Sequence, residues 1–422
     1  MAPAMSEFVA YSTFVATMGV AIGRPHIGTR QVGPGAAAMA GMAILLLFGI
    51  VTPYDIVDAA STLWRPFITI VAIMAMTAVA RALGVFGRAA EVLFRRPGLT
   101  VRQLFLGVFV LSACTAALLN NDAAVLLLTP LVVGLLQRRY PEQHQLLLPF
   151  AFAVFMAAGV APFVVSNPMN MIVATSAGLD FNAYAMRMLP IALAGGVVAF
   201  LILRRLFASE LTIGDAAVTA SPAQRTTAAQ RWMIALLCAV LGSYPIVVSI
   251  DPAALWVVSA TGAVVAIMVA LRQRDVEVRA LLAHGIAWEV LVFLLAVFVL
   301  ALGLRNVGLV RYLSSWYEGG GVTLVGATAA IGSALLNNHP MAIMNLLALD
   351  GVPGAGEREI LAALIGGDLG PRLLPIGSLA GLLWLESCRR LGVMISVRQF
   401  VCIGFVVTVP TLALSLVLLA ID

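Results

Sequence analysis

Apolar runs long enough to cross a bilayer recur along the whole 422-residue chain, and the polar positions inside them follow a pattern. Ala117-Leu118-Leu119-Asn120-Asn121-Asp122 interrupts an apolar block in the first half and returns as Ala334-Leu335-Leu336-Asn337-Asn338-His339 in the second. Each is followed by a long hydrophobic segment with its own polar, proline-containing break. After the first comes Ser166-Asn167-Pro168-Met169-Asn170; after the second comes Gly367-Asp368-Leu369-Gly370-Pro371-Arg372, running on to Pro375-Ile376-Gly377-Ser378. Amides, carboxylates and prolines are expensive in the middle of a membrane-length segment, so their recurrence in matching order points to a functional site within a membrane protein.

Breaks at charges and Pro/Gly clusters predict helices over 8–23, 36–52 and 66–84, followed by a basic loop carrying Arg88, Arg95, Arg96 and Arg102. The block 103–137 is cut at its middle by Asn120-Asn121-Asp122, which leaves each arm short for a crossing and favours a re-entrant helical hairpin. Segment 146–179 holds no ionisable group, is longer than one straight crossing requires and contains Ser166-Asn167-Pro168, the pattern of a broken helix. A span over 188–203 completes a first repeat, 1–207. The polar, Ser/Thr/Ala-rich stretch 208–230 is expected to be a cytoplasmic linker. A second repeat, 231–422, then follows the same plan: helices over 232–250, 252–271 and 285–304, a hairpin at 321–349, a broken helix at 360–388 and a last helix over 399–420. The expected fold is an all-α polytopic membrane protein of about ten transmembrane helices plus two re-entrant hairpins. Each half makes an odd number of crossings, so the two enter the membrane from opposite faces. This is the inverted-repeat plan of secondary transporters, with the site at the midplane where discontinuous helices meet.

Composition agrees with that class. With 62% hydrophobic and 11% charged residues and a mean hydropathy of +1.03, the chain cannot be a soluble globule, whose charged fraction is about 25%. The apolar runs are continuous, which excludes the short alternating strands of an outer-membrane barrel. All 25 basic residues are arginine. Nineteen of them, from Arg24 to Arg398, collect on one side of the predicted topology. Five (Arg65, Arg187, Arg305, Arg311 and Arg358) fall on the other, and Arg372 stays within a span. The biased side is expected to be cytoplasmic and both termini outside. The net charge of +5 thus reflects topology and not a nucleic-acid partner. The N-terminal run from Phe8 has no basic region before it and no small-residue cleavage site after it, so it reads as a mature helix.

The chemistry of the interruptions suits a small solute. Asn120, Asn121, Ser166, Asn167, Asn170, Asn337, Asn338, Gly377 and Ser378 are candidate substrate contacts. They supply donors and acceptors without fixed charge, alongside backbone groups freed at half-helix ends. Helix capping is the competing role. Asp122 and Asp368 are the candidate proton carriers, since carboxylates in an apolar site can exchange protons in step with a solute. Capping competes for Asp122 and an i,i+4 pair with Arg372 competes for Asp368. His339 stands where the first copy has its acid; with Arg372 and Cys114 it is a further candidate. Glu289 lies at a helix entrance and Glu386 at an exit. The four cysteines, Cys114, Cys238, Cys388 and Cys402, lack the convergent spacing that tight thiolate binding of a soft ion needs. No cofactor or resident metal is expected.

Three motifs carry a family likeness: Leu118-Leu119-Asn120-Asn121-Asp122-Ala123-Ala124, Val164-Val165-Ser166-Asn167-Pro168-Met169-Asn170, and Gly367-Asp368-Leu369-Gly370-Pro371-Arg372 through Ser378-Leu379-Ala380-Gly381. Across essentially its whole length the chain resembles the bacterial arsenite/antimonite efflux permeases of the ion transporter superfamily. The resemblance implies export of trivalent arsenic or antimony hydroxide in exchange for protons, metalloid resistance, and residence in the bacterial cytoplasmic membrane. It also implies partnership, in some systems, with a soluble arsenite-stimulated ATPase. The doubled Asn120-Asn121 and the pair His339-Pro340 depart from the usual pattern of that family. Within the same superfamily, a sodium/proton antiporter or carboxylate carrier is the alternative. A carboxylate carrier would want cationic clamps, and the site offers only Arg372. An intramembrane aspartyl protease would also pair two aspartates but gives the matched hairpins no purpose, and a passive channel would need no proton carrier.

Overall fold

Helix boundaries in the computed structural model follow capping chemistry and the apolar runs; the structure describes residues 3–28, 30–96, 98–212, 226–273 and 276–421. In the first half, α1 (Pro3–Gly23) and α2 (Pro34–Leu47) flank a two-residue antiparallel ladder, His26–Ile27 with Arg30–Gln31. Helix α3 (Pro53–Ala82) begins well before the expected residue 66. Thr52 and Asp55 form a capping box and Pro53 sits in the first turn, and this start signal outweighs the interior Pro66. The expected basic loop is corrected by α4 (Val85–Phe94). Val85, Phe86, Ala90 and Phe94 bury one face, while Arg88 reaches Glu91 at 3.5 Å elsewhere on the helix. Its charges mark an amphipathic helix and not an unstructured connection.

The interrupted block resolves into α5 (Val101–Leu118) and α6 (Asn121–Arg139), two helices packed on one another. The segment after it is α7 (Leu147–Ala157), a non-helical stretch, a 3-10 turn at Val164–Ser166 and α8 (Pro168–Ser176); α9 (Phe181–Leu206) ends the half. Of the expected linker, residues 213–225 lie outside the described residues, as do Arg225 and Arg274 among the arginines used for orientation. The second half runs α10 (Ala228–Ile250), α11 (Leu255–Leu271), α12 (Val278–Gly285) and α13 (Trp288–Asn306). A short amphipathic helix, α14 (Leu309–Tyr317), then precedes α15 (Gly321–Leu336) and α16 (Asn338–Asp350). Next come α17 (Glu357–Leu369), two 3-10 turns, α18 (Leu379–Arg390) and α19 (Val397–Ile421). Eight helical stretches of the described residues are long and apolar enough to cross a membrane, among them α5; α2 and the broken segments are shorter.

The halves interlock. Helix α2 packs along α13 and α11 along α3, so the second helix of each half lies against the third long helix of the other, while α9 packs on α19. Helix α6 meets α18 and α8 meets α16, which brings the interrupted elements of both halves to one place. Close backbone approach is made by small residues. A side chain at Gly366 or Gly370 would collide with the backbone of Gly326 or Ala330 on α15, at 2.3 and 2.2 Å. Within a bilayer, where lipid is as apolar as leucine, such intimate packing and not solvent exclusion holds helices together.

Candidate functional site

Four helices begin at the centre of the bundle, each with a polar residue at its N-cap. Asn120 caps α6, its Oδ1 accepting from the Asp122 and Ala123 N–H groups at 2.8 and 3.2 Å. Asn337 caps α16 in the same way, accepting from the His339 N–H at 3.3 Å. Asn167 caps α8 through Met169 N–H at 3.1 Å, and Ser378 caps α18 through Gly381 N–H at 2.9 Å. A helix that starts inside a protein leaves its first N–H groups without intrahelical partners, and these side-chain oxygens answer that need. Asn337 does so at φ +81, a region almost reserved for glycine.

All four starts border one cavity of about 670 Å³, lined by Asn120, Asp122 and Ala123 of α6, Pro168 of α8, His339 of α16, and Leu379 and Ala380 of α18. The rest of its wall is largely apolar, including Ile73, Met74, Leu126, Leu127 and Leu131, and Arg24, Arg81, His284 and Glu289 also line it. Among the described residues the Asp122 carboxylate takes no hydrogen bond from protein. His339, at the matching place in the second hairpin, lies 3.0 Å from the Asn337 Oδ1 through Nδ1 and stands edge-on to Phe293. The Glu289 side chain occupies the space that a side chain at Gly33, the N-cap of α2, would fill.

The remaining expected contacts do not line the cavity, and most of their polar side chains are engaged within the protein. Asn121 Nδ2 donates to the Gly159 carbonyl at 3.4 Å and Ser166 Oγ to the Ala117 carbonyl at 2.7 Å, tying the first hairpin to the first helix break. Gly377 lets the chain pass within 2.6 Å of Pro371 Cα, measured from where its Cβ would stand. Asn338 is buried with its Oδ1 unpartnered among the described residues. Cys114 is exposed on α5, and no cysteine lines the cavity.

Asp368 lies just behind the cavity and joins the halves. Its Oδ2 accepts from the Ala161 N–H and from Asn170 Nδ2, both at 2.9 Å, and its Oδ1 accepts from Asn167 Nδ2 at 2.8 Å. These donors all belong to the first half and none is Arg372. Arg372, also buried, donates from Nη1 to the Met156 carbonyl at 3.1 Å in the last turn of α7. The turn that follows α17 therefore grips both sides of the first helix break, with an anion at its amide side and a cation at its carbonyl side, the polarity that helix termini favour. Sequence reasoning missed two members of this cluster. One is Tyr184, fully buried in α9, which donates to the Ala161 carbonyl at 3.0 Å and accepts from Asn170 at 2.8 Å. The other is the Ala161 peptide itself. A tyrosine in an apolar helix must find a partner for its hydroxyl, which is the signal that was available.

Comparison with known proteins bears on this arrangement. The family described as arsenical pump membrane protein matches residues 9–422. The chain belongs to that family. An arsenical pump membrane protein of Escherichia coli K12 is 31% identical over 98% of both chains, and one of Yersinia enterocolitica is 30% identical over 98% of both. A crystal structure of the YdaH transporter of Alcanivorax borkumensis, described as having an unusual topology, superposes with a TM-score of 0.61. It covers 99% of this chain and 97% of its own at 17% identity, a likeness of fold. The arsenical pump membrane proteins are a family of transporters.

Proposed function

We propose that this protein exports trivalent arsenic and antimony hydroxides across the bacterial cytoplasmic membrane in exchange for protons, and so confers metalloid resistance. The observation that carries the reading is the convergence of four helix N-termini on one cavity, where Asn120, Asp122 and His339 line the wall beside those starts. Helix N-termini favour electron-rich groups such as the oxygens of a small hydroxide, and no thiolate is there to hold arsenic too tightly for release. The matched order of elements and the exchanged pairing of α2 with α13 and α11 with α3 support two inverted repeats. In that topology Arg24 and Arg81 mark the cavity mouth as cytoplasmic and both termini lie outside.

The two aspartates divide the work. Asp122 faces the cavity, takes no hydrogen bond from protein among the described residues, and carries the exchanged proton. Asp368 accepts three hydrogen bonds, a set that suits the ionised form, and holds the halves in register. Arg372 donates from Nη1 to the Met156 carbonyl and is absent from the cavity wall, whose arginines are Arg24 and Arg81, so the arginine expected within a span does not clamp a carboxylate there. The pH gradient suffices as the driving force, with a soluble arsenite-stimulated ATPase as an optional partner. Uptake of labelled arsenite into inside-out vesicles under an imposed pH gradient and without ATP is the test. Uptake that collapses with a protonophore is the expected result, and uptake no greater than in vesicles lacking the protein would overturn the reading.

A further inference from the structure

The bonds around Asp368 close into a ring. Asp368 Oδ2 accepts from Asn170 Nδ2; Asn170 Nδ2 also donates to the Tyr184 hydroxyl; Tyr184 donates to the Ala161 carbonyl; and the Ala161 N–H returns to Asp368 Oδ2. Three members are in the first half and one in the second. The ring contains one ambiguous group. A carboxamide can present either its oxygen or its NH₂ to a neighbour, and nothing in the shape of asparagine decides which. Two acceptors decide it here: the Asp368 carboxylate directly and, acting through Tyr184, the Ala161 carbonyl. Being an acceptor, it takes the Tyr184 proton, which leaves the tyrosine oxygen only lone pairs to offer Asn170. The amide must therefore turn its NH₂ toward Tyr184, and the second hydrogen of that NH₂ points at Asp368.

We propose that Tyr184 is a positioning residue: it fixes the orientation of the Asn170 amide so that the first half presents a donor, and not an oxygen, to the Asp368 carboxylate of the second. Without the hydroxyl, the amide can rotate and set oxygen against oxygen where the halves are joined. Asn167 and the Ala161 peptide need no such orienter. Asn167 has its Oδ1 fixed by capping α8, which leaves its NH₂ for Asp368, and a peptide N–H cannot flip within its backbone. Asn170 is thus the one donor to Asp368 whose direction is set from outside its own helix.

The test uses Tyr184→Phe, which removes one oxygen from a buried ring and keeps its volume. Infrared absorption of the Asp368 carboxylate is followed in the full chain carrying isotope-labelled aspartate, the band being assigned by its loss in Asp368→Asn. Tyr184→Phe is expected to shift that band as far as Asn170→Ala does, and the double variant is expected to shift it no further, because tyrosine acts through the amide. An unmoved band in Tyr184→Phe, or shifts that add in the double variant, overturns the proposal. This arm needs no transport. The bearing on transport rests on the function proposed above: losing a buried hydrogen bond of this kind is expected to lower the maximal rate of arsenite uptake by about tenfold. Asn170→Leu, which cannot donate, is expected to be as impaired with Tyr184 as without it; an impairment that deepens when Tyr184 is also removed would place the tyrosine's action elsewhere. If the wild type moves no arsenite, the function reading fails while the infrared arm still decides the role of Tyr184.

Discussion

At the scale of single residues, the same asparagine does two jobs under different constraints. Asn120 caps α6 from an extended backbone, φ −176, whereas Asn337 caps α16 from φ +81. Replacing either by alanine removes a cap worth about 1 kcal/mol. At 337 the alanine must also bear a backbone conformation costing about 1–3 kcal/mol more, which glycine escapes. Thermal melting in detergent should therefore separate Asn337→Ala from Asn337→Gly by more than it separates the same two variants at 120; equal gaps would mean that the second hairpin tip is not strained. Asp122 differs from both in having no structural duty to lose. Asp122→Asn should leave melting within about 0.5 kcal/mol of the parent, the usual range for a change that breaks no named contact, and should abolish pH-gradient-driven arsenite uptake. Retained response to the gradient would move the proton carrier elsewhere, with His339 the next group on the cavity wall.

At the scale of elements, packing and not hydropathy explains where the second hairpin sits. Gly370→Val would place a branched side chain 2.2 Å from the Ala330 carbonyl, and neither backbone can yield without moving α15 against α17. Overpacking of this kind costs about 1–3 kcal/mol. Gly242→Ala in α10, with nothing within 4 Å, should be neutral or stabilising by up to about 1 kcal/mol. Melting curves of the two variants check the contrast, and a tolerated valine at 370 would mean that α15 and α17 are looser than they stand. The interruptions near Asn120, Ser166, Asn337 and Asp368 were legible in the sequence because polar residues in apolar runs have few explanations. Helices α4 and α14 were not: each is about two turns of half-polar chain, and a window tuned to continuous apolar runs takes charges such as Arg88 for a loop. The long start of α3 was written in Thr52-Pro53-Tyr54-Asp55, a capping signal that interior Pro66 masked. The breaks were legible as places where polar residues gather, but not which of those residues bond to one another. Spacing shows that Asn167 and Asn170 sit at a break, yet only three dimensions show that their donors are taken by Asp368, some two hundred residues away.

At the scale of the whole molecule, the interlocked helices α2, α3, α11 and α13 form a frame, and the interrupted helices meet within it. On the function proposed above, transport requires that the cavity open on one side of the membrane at a time. In this conformation its wall includes Arg24, Arg81 and His284, and an ion pair between Arg187 of α9 and Glu357 of α17 joins the halves. Because Arg24 and Arg81 belong to the arginine-rich face, a cavity in this state should be reachable from the cytoplasm alone. Three of the native cysteines are exposed, so a cysteine-free background is needed before a reporter is introduced. Leu127→Cys, on the apolar wall of the cavity, should then react with a membrane-impermeant thiol reagent in inside-out vesicles and resist it in right-side-out ones. Labelling restricted to right-side-out vesicles would invert the orientation, and with it the direction in which the proposed export could run.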